Sequence, residues 1–164
     1  MNYAIVMVGA PGSGKSSYVK QHYPNAIVCS ADHYHMVDGQ YKWKPENVAE
    51  AHRMCLRKFV HALQNPADVQ DNFLVCDNTN TTLMQAGPYV ATALAHGWNV
   101  KIVAFKAKDY EVDIIQARGL HNVPIPTVRR MVREVRESWT PGNVALVWPS
   151  VTFDVIGVTE TRDG

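Results

Sequence analysis

A glycine-rich turn between an apolar run and a helical pattern constrains this chain more than any other feature. The run YAIVMV (3–8) leads into GAPGSGKSS (9–17), which holds G-x-x-x-x-G-K-S as Gly9, Gly14, Lys15 and Ser16. In a strand–turn–helix context this spacing forms a phosphate-binding loop. The glycines let the backbone curl so that successive N–H groups converge on phosphate oxygens. The start of the next helix adds the positive end of its dipole. Gly9, Pro11, Gly12, Ser13, Gly14, Lys15, Ser16 and Ser17 are therefore the expected nucleotide-binding residues. Lys15 would bring an ammonium to the β- and γ-phosphates, and the Ser16 hydroxyl would ligate Mg²⁺.

Beyond this turn, short β-rich runs alternate with longer helical patterns. AIVC (26–29), FLVCD (73–77) and VKIVAF (100–105) are near-continuously apolar, as in strands buried on both faces. A fifth strand is expected at ALVW (145–148) or TFDVIG (152–157). Helices are expected over 15–22, 45–63, 82–96, 109–117 and 126–139. The second carries a stripe of Val48, His52, Cys55, Phe59 and Leu63, and the last one of Val128, Met131, Val132, Val135 and Trp139. This alternation predicts an α/β P-loop fold, a parallel sheet of about five strands covered by helices on both faces. Ligands of such sheets sit beyond the carboxyl ends of the strands.

A chain of 164 residues, 46% hydrophobic, suits a single domain over 1–164. It has no apolar run of about 18 residues, so no membrane span is expected. Three cysteines, Cys29, Cys55 and Cys76, are neither a disulfide framework nor a metal spacing. With no secretory signal pattern, they fit a reducing, cytoplasmic setting. A net charge of +1 gives no argument for or against a nucleic-acid partner.

Three further sites fall at the predicted ligand edge. Asp32, in CSADHYH (29–35), could accept the proton of an attacking hydroxyl or could cap a turn. Asp77 ends a strand, where a carboxylate reaches Mg²⁺ directly or through water, or where an Asx-turn closes the strand. Mechanical ATPases usually place a glutamate next; here the residue is Asn78, which counts against a motor. Arg118, in ARGLHNVP (117–124), could close over the nucleotide from a lid near 114–126 with help from His121, or could be a solvated loop arginine. His52 reads as a hydrogen-bonded core histidine, with a substrate-facing role as the alternative. Arg129, Arg130, Arg133 and Arg136 read as a solvated helix face paired with Glu134 and Glu137, or as a phosphate-binding surface. QYKWK (40–44) could stack a base or could be loop packing.

Taken in order, GAPGSGKSS, Asp32-x-Tyr34, DNTN (77–80), R-G-x-x-x-V-P (118–124) and an R-x-M helix (Arg129, Met131) resemble the phage 5′-polynucleotide kinase domain. Gly39-x-Tyr41, Ala51-His52, DNTNTT (77–82), Pro-Tyr-Val (88–90) and R-x-x-H (Arg118, His121) are similar to small, mostly uncharacterised AAA-like kinase relatives. The resemblance implies ATP and Mg²⁺ at Lys15 and Ser16, Asp32 as general base, Arg118 as a lid arginine, and acceptor contacts at Tyr34 and His35. Two positions depart from the polynucleotide kinase pattern. His35 replaces an acceptor-binding arginine, and Ile114 replaces a second lid arginine. The expected activity is transfer of the γ-phosphate of ATP to a hydroxyl, foremost the 5′-hydroxyl of DNA or RNA. A nucleoside, a modified DNA base or another small hydroxyl compound is the next acceptor class. A nucleotide-binding regulator with little turnover is the competing reading.

Overall fold

The computed structural model describes residues 1–158; residues 159–164, the end of the expected 1–164 domain, lie outside them. The chain runs through β1 (Tyr3–Val8), α1 (Lys15–His22), β2 (Ile27–Cys29), β3 (Met36–Val37), β4 (Gln40–Tyr41) and α2 (Val48–Gln64). It continues through β5 (Phe73–Asp77), α3 (Leu83–Ala95), β6 (Asn99–Lys106), α4 (Val112–Arg118), α5 (Ile125–Ser138), α6 (Pro141–Val147) and β7 (Thr152–Gly157). Five strands form one parallel sheet in the order β2-β5-β1-β6-β7, and β3 pairs with β4 in a separate antiparallel hairpin. The chain winds from β1 outward to β2, returns to β5, and then crosses to β6 on the other side. The strand order therefore switches direction at β1, and the crevice above its carboxyl end is where a ligand belongs.

Burial explains why β1 is apolar at every position. Ala4, Val6 and Val8 join α2 and α3 in one core, through Cys55, Phe59, Tyr89 and Val90. Ile5 and Met7 face the opposite core, with Val19 of α1, Ile115 of α4, and Val128 and Val132 of α5. Each such large side chain contributes about 1.5–3 kcal/mol by leaving water. An alternating polar pattern would forfeit one of the two layers. All three cysteines are buried free thiols, and burial pushes Cys29 up to about 12.

One point the sequence reading left open and two that it placed differently have physical causes. The fifth strand is Thr152–Gly157, the second of the two expected segments, while residues 145–147 of the competing segment end the helix Pro141–Val147. The Thr140 side chain accepts a hydrogen bond from Asn143 N–H at 3.1 Å and Pro141 occupies the first turn, so the chain there starts a helix. The core face of α2 is Ala51, Cys55, Phe59, Ala62 and Leu63, and His52 is exposed rather than a core histidine. Finally, QYKWK (40–44), read as a base stack or as loop packing, begins with β4 of the β3–β4 hairpin, which is turned by Asp38 (φ 51°) and Gly39 (φ 77°). Two consecutive left-handed residues make the tight turn that matches strand twist, and Asp-Gly is suited to it.

The segment following β5 ties these layers together. Thr79 carbonyl oxygen accepts from Gly9 N–H at 2.9 Å, and Asn80 Nδ2 donates to Met7 carbonyl at 3.0 Å. The carbonyl of Asn80 accepts from Trp139 Nε1 at 2.8 Å, and that indole is fully buried. The Trp139→Phe variant leaves this buried carbonyl without its donor, and such a loss costs about 1–3 kcal/mol. Urea unfolding should show that decrease; an unchanged midpoint would mean the indole N–H contributes nothing.

Candidate active site

The register of the two central strands delivers the first pair of functional groups. Met7 of β1 lies opposite Asp77 of β5, so the aspartate emerges beside the phosphate loop. Ser16, in the first turn of α1, donates its hydroxyl to Asp77 Oδ2 at 2.8 Å. A hydroxyl and a carboxylate are both hard oxygen donors. Two of them in contact beside a phosphate loop fit Mg²⁺, which takes few protein ligands and completes its shell with phosphate and water. Among the described residues no cluster of three or more His, Cys, Asp or Glu could hold a metal alone.

Lys15 is buried, and its Nζ donates to the carbonyls of Gly9 and Ala10 at 2.9 and 3.1 Å. Desolvation pushes its ammonium down, and the charges of Asp77 and then Asp32 oppose that shift. The far wall of the loop is the end of α4. A Cβ on Gly12 (φ 82°) would lie 2.1 Å from the carbonyl oxygen of Ile115 and 3.0 Å from Gly119 N. Only glycine permits so close an approach. The turn that carries Arg118 thus packs directly on the phosphate loop.

Asp32 sits on a short turn, residues 31–35, immediately beyond β2. Two anchors fix that turn. Ser30 Oγ accepts from Asp32 N–H at 3.3 Å, and Asn78 Oδ1 accepts from Ala31 N–H at 2.8 Å. Asn78 is itself buried and donates through Nδ2 to Tyr89 Oη at 3.3 Å. The residue in place of a motor's glutamate is therefore a brace between β5, α3 and the Asp32 turn. From above, Tyr41 Oη donates to Asp32 Oδ1 at 3.2 Å, and His121 Nε2 lies 3.8 Å from Asp32 Oδ2. The rings of Tyr41 and His121 stack with centroids 3.6 Å apart and 19° between planes. Desolvation first, and the Asp32 charge second, push the Tyr41 phenol up to about 12.

Ser16, Asp32 and Asp77 meet in one cavity of about 220 Å³, whose wall continues through Ser30, His33, Met36, Tyr41 and His121. Tyr34 and His35 are not on that wall. Tyr34 packs on the core layer near Cys55 and Cys29, and His35 is buried, with its ring edge-on to Tyr41 at 5.9 Å. His52 lies within electrostatic reach of the site. Its imidazole is held below the ordinary value by desolvation first and His35 second. Of the arginines on α5, Arg130 pairs with Glu134 at 2.7 Å and Arg136 reaches Asp109 at 2.8 Å, so both engage ordinary ion pairs. The sequence names Tyr41 only within a segment that could stack a base and Asn78 only as the residue in place of a motor's glutamate; neither is expected to support Asp32. The Asp-Gly turn would have placed Tyr41 at a hairpin end, and a polar residue directly after a buried strand marks Asn78.

A profile of AAA_33, described as an AAA domain, matches residues 5–138. The chain belongs to the AAA_33 family. Human NEDD4-binding protein 2 is 26% identical over 135 residues, covering 78% of this chain, which spans 7% of that protein's length. Among solved structures, a gluconokinase from Sinorhizobium meliloti 1021 superposes with a TM-score of 0.55 at 14% identity, over 94% of this chain and 82% of that one. The tunicamycin resistance protein of Deinococcus radiodurans gives 0.53 at 14% identity, over 83% and 81%. A kinase candidate from Chloroflexus aurantiacus j-10-fl gives 0.61 at 14%, over 99% and 92%. At that identity these likenesses show the fold alone, an α/β architecture with a five-stranded parallel sheet flanked by helices, which the strand order of this chain shows independently. No helix among the described residues is long and apolar enough to cross a membrane.

The Asn78→Ala variant should lose about 1–3 kcal/mol of stability, because the buried Ala31 N–H is left without an acceptor. Urea unfolding beside wild type measures it, and equal midpoints would show that the turn does not depend on this bond.

Proposed function

We propose that this chain is an ATP-dependent kinase that transfers the γ-phosphate to a hydroxyl acceptor, foremost the 5′-hydroxyl of a polynucleotide. The observation carrying the reading is that the Ser16–Asp77 pair and the Asp32 carboxylate share one cavity above the phosphate loop. Ser16 and Asp77 would hold Mg²⁺, which when bound neutralises charge between the β- and γ-phosphates. Lys15 would leave the loop carbonyls it now engages and donate to the same phosphates. Gly12 and its neighbours would cradle them through backbone N–H groups.

Asp32 would accept the proton of the acceptor hydroxyl as its oxygen attacks the γ-phosphorus, and the β–γ bridging oxygen would leave with ADP. One carboxylate oxygen is held by Tyr41, which leaves Oδ2 for the hydroxyl; at 3.8 Å His121 is too distant to occupy it with a good hydrogen bond. Arg118, carried on the turn that packs against Gly12, would add positive charge over the transferring group. A hydrolytic motor fits less well, since the side chain following Asp77 is the buried Asn78 brace.

The polynucleotide acceptor rests on the order of motifs rather than on geometry, since the expected contacts Tyr34 and His35 are turned away from the cavity. Nucleosides and small polyols, gluconate included, therefore belong in the test. Wild type and Asp32→Asn would be incubated with γ-labelled ATP, Mg²⁺ and each acceptor. The expected result is label on 5′-hydroxyl oligonucleotides, reduced about 10²–10⁴-fold in the variant with ATP affinity unchanged. Label confined to nucleosides or polyols would keep the mechanism and change the acceptor. No labelled acceptor, with ATP still bound, would favour a nucleotide-binding regulator.

A further inference from the structure

The contact between two sequence features, Gly39-x-Tyr41 and Arg118-x-x-His121, plays no part in the reading above. Their aromatic members, far apart in the chain, meet at one point over Asp32.

Asp32 has a geometric difficulty for a base. Its side chain is 55% exposed and stands on a turn of five residues, so its own packing does little to select one orientation. A general base needs one oxygen aimed at the proton it takes. The structure supplies that aim from outside, through Tyr41 Oη on Oδ1 at 3.2 Å. Tyr41 in turn contacts two rings. Buried His35 meets it edge-on at 5.9 Å. His121, from the segment joining α4 to α5, stacks on it at 3.6 Å. That segment follows directly on the turn of α4 that packs against Gly12 of the phosphate loop. One ring therefore touches the base and the lid together.

We infer that Tyr41 is the positioning residue of the base, and that its stack with His121 couples closure of the lid to that positioning. With the lid down, His121 presses on Tyr41, the phenol holds Oδ1, Oδ2 faces the cavity, and the two rings cover one side of the carboxylate. With the lid raised, Tyr41 loses one of its two flanking rings, the carboxylate is free to rotate, and the cavity opens for acceptor exchange. The inference rests on Asp32 acting as the base. It adds a coupling that the catalytic reading does not require.

The test uses four variants of the full chain. Tyr41→Phe keeps the ring stack and removes the hydroxyl, while Tyr41→Leu removes both. His121→Ala removes the lid's half of the stack, and His121→Phe restores it without a charge. Urea midpoints first establish that each variant is folded. With ATP·Mg²⁺ and a 5′-hydroxyl oligonucleotide, Tyr41→Phe should lower kcat about tenfold or more with KM nearly unchanged, the size of effect that misplacing a catalytic group produces. His121→Ala should raise ATP hydrolysis relative to transfer, and His121→Phe should bring that ratio back. In protein labelled with ¹³C-histidine, the His121 ring protons should be displaced upfield by the Tyr41 ring in wild type and Tyr41→Phe but not in Tyr41→Leu. A His121 resonance indifferent to Tyr41→Leu would overturn the stack itself. Wild-type kcat in Tyr41→Phe and Tyr41→Leu, with transfer otherwise intact, would overturn the positioning role and leave the kinase reading standing. Absence of transfer by wild type to any acceptor, with the stack present, would remove the kinase reading and the positioning role with it.

Discussion

Residues 77–80 hold four parts of the chain in one place, and the site exists because they do. Asp77 meets Ser16 at the start of α1, and Asn78 takes the N–H of Ala31. Thr79 takes the N–H of Gly9, and Asn80 joins Met7 to Trp139. Every one of these contacts satisfies a polar group at the carboxyl end of the sheet, where the strands stop and their ladder partners run out. The same bonds set the distances between phosphate loop, Ser16–Asp77 pair and Asp32 turn. Packing energy fixes the sheet, but these few directional bonds decide where the chemistry stands upon it.

Much of this was legible in the sequence because it depends on local rules. The G-x-x-x-x-G-K-S spacing needs only a preceding strand and a following helix, and both are signalled by hydrophobic pattern. Buried parallel strands read as unbroken apolar runs, so β1, β2, β5 and β6 stand out. Asp32 and Asp77 lie at strand ends, and strand ends in a parallel sheet share one edge.

What was not legible depends on rotation or on long-range contact. The turn over 31–35 sends Tyr34 to the core and His35 edge-on against Tyr41, and no periodicity rule applies to so short a turn. A shift of one position in the core face of α2 takes His52 from the interior to the surface. The hairpin at 36–41 is too short for a strand signal, although Asp38-Gly39 is its turn. The Tyr41–His121 stack joins distant segments and leaves no trace in either one alone. Thr140 and Pro141 do announce α6, and weighing that cap against the apolar run of 145–148 would have left β7 as the fifth strand.

The most direct measurement is a crystal structure of the chain with Mg²⁺ and a non-hydrolysable ATP analogue. The metal should lie between Ser16 Oγ and Asp77, replacing their direct 2.8 Å hydrogen bond, with Lys15 on the phosphates and the γ-phosphate facing Asp32 across the cavity. A γ-phosphate turned away from Asp32, or a metal bound without Ser16 and Asp77, would contradict phosphoryl transfer at this site.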